Sequence, residues 1–171
     1  AWAFRHVSEP VSSWKYGVAA VIALIHDVTI PTAVFAVLGK FSGVPTDALF
    51  ITALLTIMGF SVHDTIVVFD RTRENLRKLK GSEEFSVVVN RSVNETFTRS
   101  INTSVTILLA LVAIVVFGGE SVRYFSLALI IGIGFGTYSS IFIASPLLVI
   151  WNDLTPSLKF RQNPRRHGAT E

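Results

Sequence analysis

The chain has 171 residues, 50% of them hydrophobic and only 16% charged, with a mean hydropathy of +0.54 and a formal net charge of +3. A soluble domain of this size carries about 25% charged residues, so a water-exposed globule is a poor fit. Cysteine is absent, which excludes disulfides and Cys-ligated metals.

The apolar residues fall in four blocks, the pattern of membrane spans. The chain opens at Ala1 with no visible secretory leader, and it is expected to be a piece of a longer one, with 1–15 as a cytoplasmic flank at the end of a preceding span. Span A covers 16–38, "YGVAAVIALIHDVTIPTAVFAVL". Span B covers 48–69, "ALFITALLTIMGFSVHDTIVVF". A charged connection follows over 70–99. Its first part, "DRTRENLRKLK", continues helically from span B, with Glu74 four residues before Lys78. Gly81–Ser82 breaks it, and Phe85, Val88, Val89 and Val93 then recur at helical spacing. An amphipathic helix lying on the inner membrane face is expected there; a solvated charged hairpin is the alternative for the first half. Span C covers 100–117 and is short for a bilayer, so its helix is expected to begin earlier, near Thr98 or Arg99. Span D covers 124–150, and 151–171 form a tail. The fold class is therefore an all-α membrane protein of four transmembrane helices plus a cytoplasmic amphipathic helical connection. Four buried helices of a soluble protein would need more polar neighbours than this chain has.

Charge orients the spans. All but two of the fifteen Lys and Arg lie in the N-terminal flank (Arg5, Lys15), the 70–99 connection (Arg71, Arg73, Arg77, Lys78, Lys80, Arg91, Arg99) and the tail (Lys159, Arg161, Arg165, Arg166). The short joins A–B and C–D hold only Lys40 and Arg123. The positive-inside rule then places both termini and the long connection in the cytoplasm, with Trp14, Tyr16 and Trp151 as an interfacial aromatic belt.

Asp27 and Asp64 stand inside this apolar sequence, each preceded by a histidine, in "LIHDVTI" and "SVHDTIV". Counted along the helices, Asp64 lies about 9 Å and Asp27 about 18 Å from the cytoplasmic ends of their spans. A charged group at membrane depth costs at least about 2.5–3.5 kcal/mol, so such residues face a partner or a wet cavity. The alternative is a satisfied polar clamp between helices. His26 and His63 point about 100° away from the neighbouring acids and are supporting candidates, with bonding to a helix carbonyl as the alternative. Pro31 lacks an N–H, so the carbonyl of Asp27 loses its helical partner. Arg99 opens span C and is placed to face Asp64, or else to pair with Glu95 on the surface. An Asp beside an Arg stays ionised, and a second acid competing for that Arg could take a proton. Asp64, Arg99 and Asp27 thus form a candidate proton relay.

In span D, Gly132, Gly136, Ser140 and Ala144 recur every fourth residue, a small-residue ridge for helix packing. The glycines of "GIGFG" have the wrong spacing for a nucleotide loop, and no HExxH is present. Neither a metal, a cofactor nor an enzymatic activity is expected.

The strings "ALIHDV", "GFSVHDTIVVFDRTREN", "TRSINTS", "FGG" and "LALIIGIGFGTYSSIFIASPLL" occur in this order over 15–150. On them the chain resembles the SecF family of bacterial protein export. The resemblance implies an RND-type half bundle, the last four of six spans, the first two of which flank a periplasmic domain. It implies SecD, the Sec channel complex, exported polypeptide and membrane lipid as partners, and no nucleic acid. It implies a bacterial inner-membrane location and use of the proton-motive force. The family's proton-linked acid falls on Asp64 and its essential arginine on Arg99, with a further Asp supplied by SecD. His63 stands where the family most often has Asn. A non-conducting scaffold subunit and an RND-type small-molecule exporter are the alternative functions.

Overall fold

The computed structural model describes residues 13–79 and 83–154. The described chain is helical apart from short joins: α1 (Ser13–Ser42), α2 (Ala48–Leu79), α3 (Phe85–Phe117), α4 (Glu120–Ser139), a π-helical turn (Ser140–Ala144) and α5 (Ser145–Leu154). Among the described residues four stretches are long and apolar enough to cross a membrane, the fourth running without a break from Glu120 to Leu154. The protein is a multi-pass α-helical membrane protein.

The joins at one end of the bundle are tight. Gly43 ends α1 in the left-handed region, at φ 66°. Its N–H bonds the Gly39 carbonyl, the αL closure of a helix end, and the Val44 N–H reaches the Leu38 carbonyl at 3.5 Å. Asp47 caps α2 by accepting from the Phe50 N–H at 3.1 Å. Gly118–Gly119 alone separate α3 from α4.

At the other end the helices overrun the span. The 32 residues of α2 extend about 48 Å. The segment after Phe85 is not a separate helix on the membrane face, as expected from its amphipathic pattern, but the first half of α3. Protein, not lipid, covers its apolar side: Phe85 and Val89 pack with Tyr16, Phe69 and Leu148. Its polar side is tied to α2, where the Asn75 amide donates to Ser92 Oγ (3.0 Å) and Glu95 Oε2 (2.8 Å), and Arg71 pairs with both Glu74 and Glu95. Glu95 is thus taken by Arg71 and Asn75 rather than Arg99. The Gly81–Ser82 break lies outside the described residues, as do Arg5, Lys80, Lys159, Arg161, Arg165 and Arg166 of the charge count. Trp14 and Trp151 meet edge to face at 5.1 Å, with Trp14 exposed. Tyr16 departs from the expected belt: it is buried, packed on Phe69 and beneath the Arg73 guanidinium.

The interior is layered. One apolar cluster (Tyr16, Ala19, Ala23, Phe69, Phe85, Val89, Ala144, Leu148) fills the charged end. Another, built around Phe35, Phe50, Ile57, Leu111, Leu129 and Ile133, fills the end with the tight joins. On every helix the residues between these two sets include buried polar ones: Asp27 on α1, Ser61 and Asp64 on α2, Ser100 and Ser104 on α3, and Thr137, Ser139 and Ser140 on the fourth. The fourth helix is the axis of the bundle, with 56% of its most apolar window buried against 17–33% for the other three.

Candidate functional site

The polar layer holds two carboxyl groups. Asp27 is fully buried. Its Oδ2 accepts from Ser61 Oγ of α2 (2.5 Å) and from Ser139 Oγ of α4 (2.6 Å), and its Oδ1 meets His26 Nδ1 at 2.9 Å. Asp64 is 8% exposed; its Oδ1 accepts from Ser100 Oγ of α3 and its Oδ2 from Ser140 Oγ, each at 2.6 Å. Beside them Ser104 and Thr137 share a 2.5 Å hydroxyl contact between α3 and α4.

Helix geometry explains which residues meet. Ser61 and Asp64 are three apart on α2 and so lie on one face. Ser100 and Ser104, four apart, do the same on α3. Ser139 and Ser140 are adjacent and diverge by about 100°, so one turns to α1 and the other to α2. They sit where α4 widens into its π turn, a feature often found at functional positions. Pro146 follows that turn with no N–H to give, and the Ser145 hydroxyl bonds the Ser140 carbonyl at 3.1 Å. Gly136 brings the backbone of α4 close: a Cβ there would lie 3.4 Å from Ser61 Cβ and 3.7 Å from Asp27 Oδ2.

Three placements differ from the sequence reading. His26 reaches its neighbour Asp27, with Nδ1 2.9 Å from Oδ1, although consecutive side chains start about 100° apart on a helix. His63 is exposed and makes no side-chain hydrogen bond among the described residues. Arg99 is exposed and forms no ion pair with Asp64 or any other described residue; the next residue, Ser100, makes the Asp64 contact. A rotation of 100° per residue puts these two side chains on different faces of α3. α1 passes helically through the buried Pro31. Gly132, Gly136, Ser140 and Ala144 are all buried, but they do not line one contact. Gly132 abuts Ile57 of α2, Ala144 joins the cluster of Tyr16, Ala19 and Ala23 from α1, and Ser140 is a ligand of Asp64. Ser61, Ser100, Ser104 and Thr137 lie in the strings that carry the family resemblance, but their residue types alone do not mark them as partners of the acids; Ser61 lies one helical turn from Asp64. Among the described residues no group of three His, Asp or Glu could hold a metal.

Fold and site together define a polytopic helical membrane protein with two carboxyl groups held by serine hydroxyls in its interior. The family model for "Protein export membrane protein SecD/SecF, C-terminal" matches residues 11–154. The chain is 52% identical over 170 residues to the protein translocase subunit SecF of Thermobaculum terrenum, covering 99% of this chain and 52% of that protein. It is 52% identical over 158 residues to SecF of Synechocystis sp. (91% and 48%) and 45% identical over 140 residues to SecDF of Thermus thermophilus (82% and 18%). A crystal structure of SecDF in a super-membrane-facing form matches with a TM-score of 0.76 at 42% identity, over 83% of this chain and 19% of that one. The chain belongs to the SecD/SecF C-terminal family of protein export membrane proteins. It spans about half the length of the curated SecF relatives it matches.

Proposed function

We propose that this chain is the C-terminal membrane part of a SecF-type subunit of a bacterial cell membrane, which with SecD couples proton flow to movement of polypeptide from the Sec channel. The carrying observation is the set of partners around Asp64: two serine hydroxyls and, among the described residues, no cation. Fixing two helices against a third does not require a carboxyl group; a neutral amide or hydroxyl would do so without the cost of a buried charge. A carboxyl group has the further property of binding and releasing a proton. Hydroxyl partners suit both states, because a hydroxyl can donate to the anion and accept from the acid.

Arg99 then serves across the subunit boundary. It is exposed on α3 one residue from the Asp64 contact, so its charge faces whatever lies beside that helix. A related SecD half with an acid of its own would let the guanidinium balance Asp64 and the SecD acid in turn. Asp27 and His26 form the inner continuation of this site. The SecDF relative of Thermus thermophilus, named as both subunits in one, supports SecD as the neighbour.

Asp64→Asn in the full-length subunit, assembled with its partners in sealed membranes, is the test. Export driven by a proton gradient is expected to be lost while the complex still copurifies. Undiminished gradient-driven export would sink the proposal. Loss of assembly instead would favour the scaffold reading, in which the polar layer only fixes helix pairing.

A further inference from the structure

Ser139 and Ser140 each have two acceptors within reach. Ser139 Oγ lies 2.6 Å from Asp27 Oδ2 and 3.1 Å from the Gly136 carbonyl. Ser140 Oγ lies 2.6 Å from Asp64 Oδ2 and 3.0 Å from the Thr137 carbonyl. A serine has one hydrogen to give. While a carboxyl oxygen is an anion it takes that hydrogen. Once that oxygen is protonated it becomes a donor, and the serine hydrogen has the carbonyl three residues earlier as its alternative acceptor. The two serines are consecutive, and they stand at the entry to a π turn, so a change at one is passed to the other by the shortest stretch of backbone there is. The second link is α2, where Ser61 donates to Asp27 one helical turn from Asp64.

We propose that Asp27 is a second proton-exchanging carboxyl, coupled to Asp64 through the Ser139–Ser140 pair, so that the protonation state of one sets the proton affinity of the other. The inference rests on the reading of Asp64 as a proton-exchanging group. The groups that face the pair are few. His26 of α1 contacts Asp27 directly, and α2 contributes Ser61, with His63 exposed. α3 contributes Ser100, with Arg99 exposed, and the fourth helix has no charged side chain from Tyr124 to Trp151. With no charge on the central helix between them, its serine hydroxyls are the polar link that touches both acids directly, while Ser61 of α2 touches Asp27 alone. The step is a proton transfer only. The O–H bond of a bound proton donor such as hydronium breaks, an O–H bond to a carboxylate oxygen forms, and the serine hydrogen bond moves from that oxygen to the carbonyl.

The test is a double-mutant cycle read by infrared difference spectroscopy on the full-length complex in lipid, titrated with pH. The Asp64 carboxyl band is assigned by its loss in Asp64→Asn. Asp27→Asn is expected to move the midpoint of that band, and in a Ser139→Ala, Ser140→Ala background the same substitution is expected to move it by much less. All of these changes are close to isosteric, so the packing of the layer is retained, and circular dichroism with copurification of the complex checks that it is. A midpoint indifferent to Asp27→Asn overturns the coupling and leaves the role of Asp64 standing. An equal shift with and without the serines overturns their part in it. Absence of any titrating Asp64 band refutes the proton reading itself, a distinct failure.

Discussion

Single residues in the polar layer separate into those that need their size and those that need their chemistry. Gly132 and Gly136 look alike in sequence, four apart in one ridge. A Cβ on Gly132 would overlap three carbons of the Ile57 side chain, whereas one on Gly136 would make ordinary contacts with Ser61 and Asp27. Gly132→Ala is therefore expected to destabilise by about 1–3 kcal/mol, the usual cost of overpacking, and Gly136→Ala to be close to neutral. Thermal unfolding of the purified complex checks both, and Ile57→Ala should rescue the first; equal effects at the two glycines would show that the ridge works as one surface. The acids were conspicuous in the sequence because a charge inside an apolar run has few explanations. The serines that hold them were not. Thr29, Thr32, Thr52, Thr56, Thr103 and Thr106 all bond the carbonyl four residues back on their own helix. Hydroxyl residues can satisfy themselves locally in this way, so only their neighbours in space distinguish Ser100 or Ser140 from them.

Helix type and number were legible from composition alone, since four long apolar runs admit few other arrangements. Helix extent was legible only in part: the continuation of α2 past Asp70 could be read, but not that α3 begins as early as Phe85. Charge marked where α2 leaves the apolar layer, near Asp70, but could not show that the helix and its partner continue as a packed pair. That pairing depends on side chains that read as surface residues. Asn75 is 5% exposed and gives one amide to both Ser92 and Glu95. Asn75→Ala removes both donations and leaves the Glu95 carboxylate with Arg71 alone. Glu95 is exposed and can turn to water, and Ser92 keeps its bond to the Val88 carbonyl, so a loss of about 0.5–1.5 kcal/mol, the net worth of an ordinary hydrogen bond, is expected. Amide hydrogen exchange should report it locally, with faster exchange over 70–79 and 85–96 and little change in the apolar spans. Uniform acceleration through all helices would instead mean that this pair nucleates the whole bundle. The same pair explains why the segment after Phe85 does not lie flat on the membrane: its apolar side is already covered by Tyr16, Phe69 and Leu148.

Across the whole molecule serines and two aspartates lie inside between two apolar clusters, while Ile25, Leu55, Leu109, Val116 and Phe117 are exposed. That surface suits lipid and neighbouring helices, and it leaves one question of handedness: which end faces the cytoplasm. The tight-join end carries Lys40 and Arg123, and the other end carries Lys15, Arg71, Arg73, Arg77, Lys78 and Arg91 among the described residues. The asymmetry predicts that the second end is cytoplasmic. The absence of cysteine from these 171 residues makes the orientation measurable. In a cysteine-free version of the full-length subunit, Thr46→Cys, exposed in the join before α2, and Ser121→Cys, exposed in the first turn of α4, should react with a membrane-impermeant thiol reagent added outside. Arg77→Cys, exposed on the overrunning part of α2, should react only after the membrane is opened. The reverse pattern would turn the molecule over. It would put Asp64 in the half of the membrane away from the cytoplasm, so that protons entering from outside would have the shorter path to it.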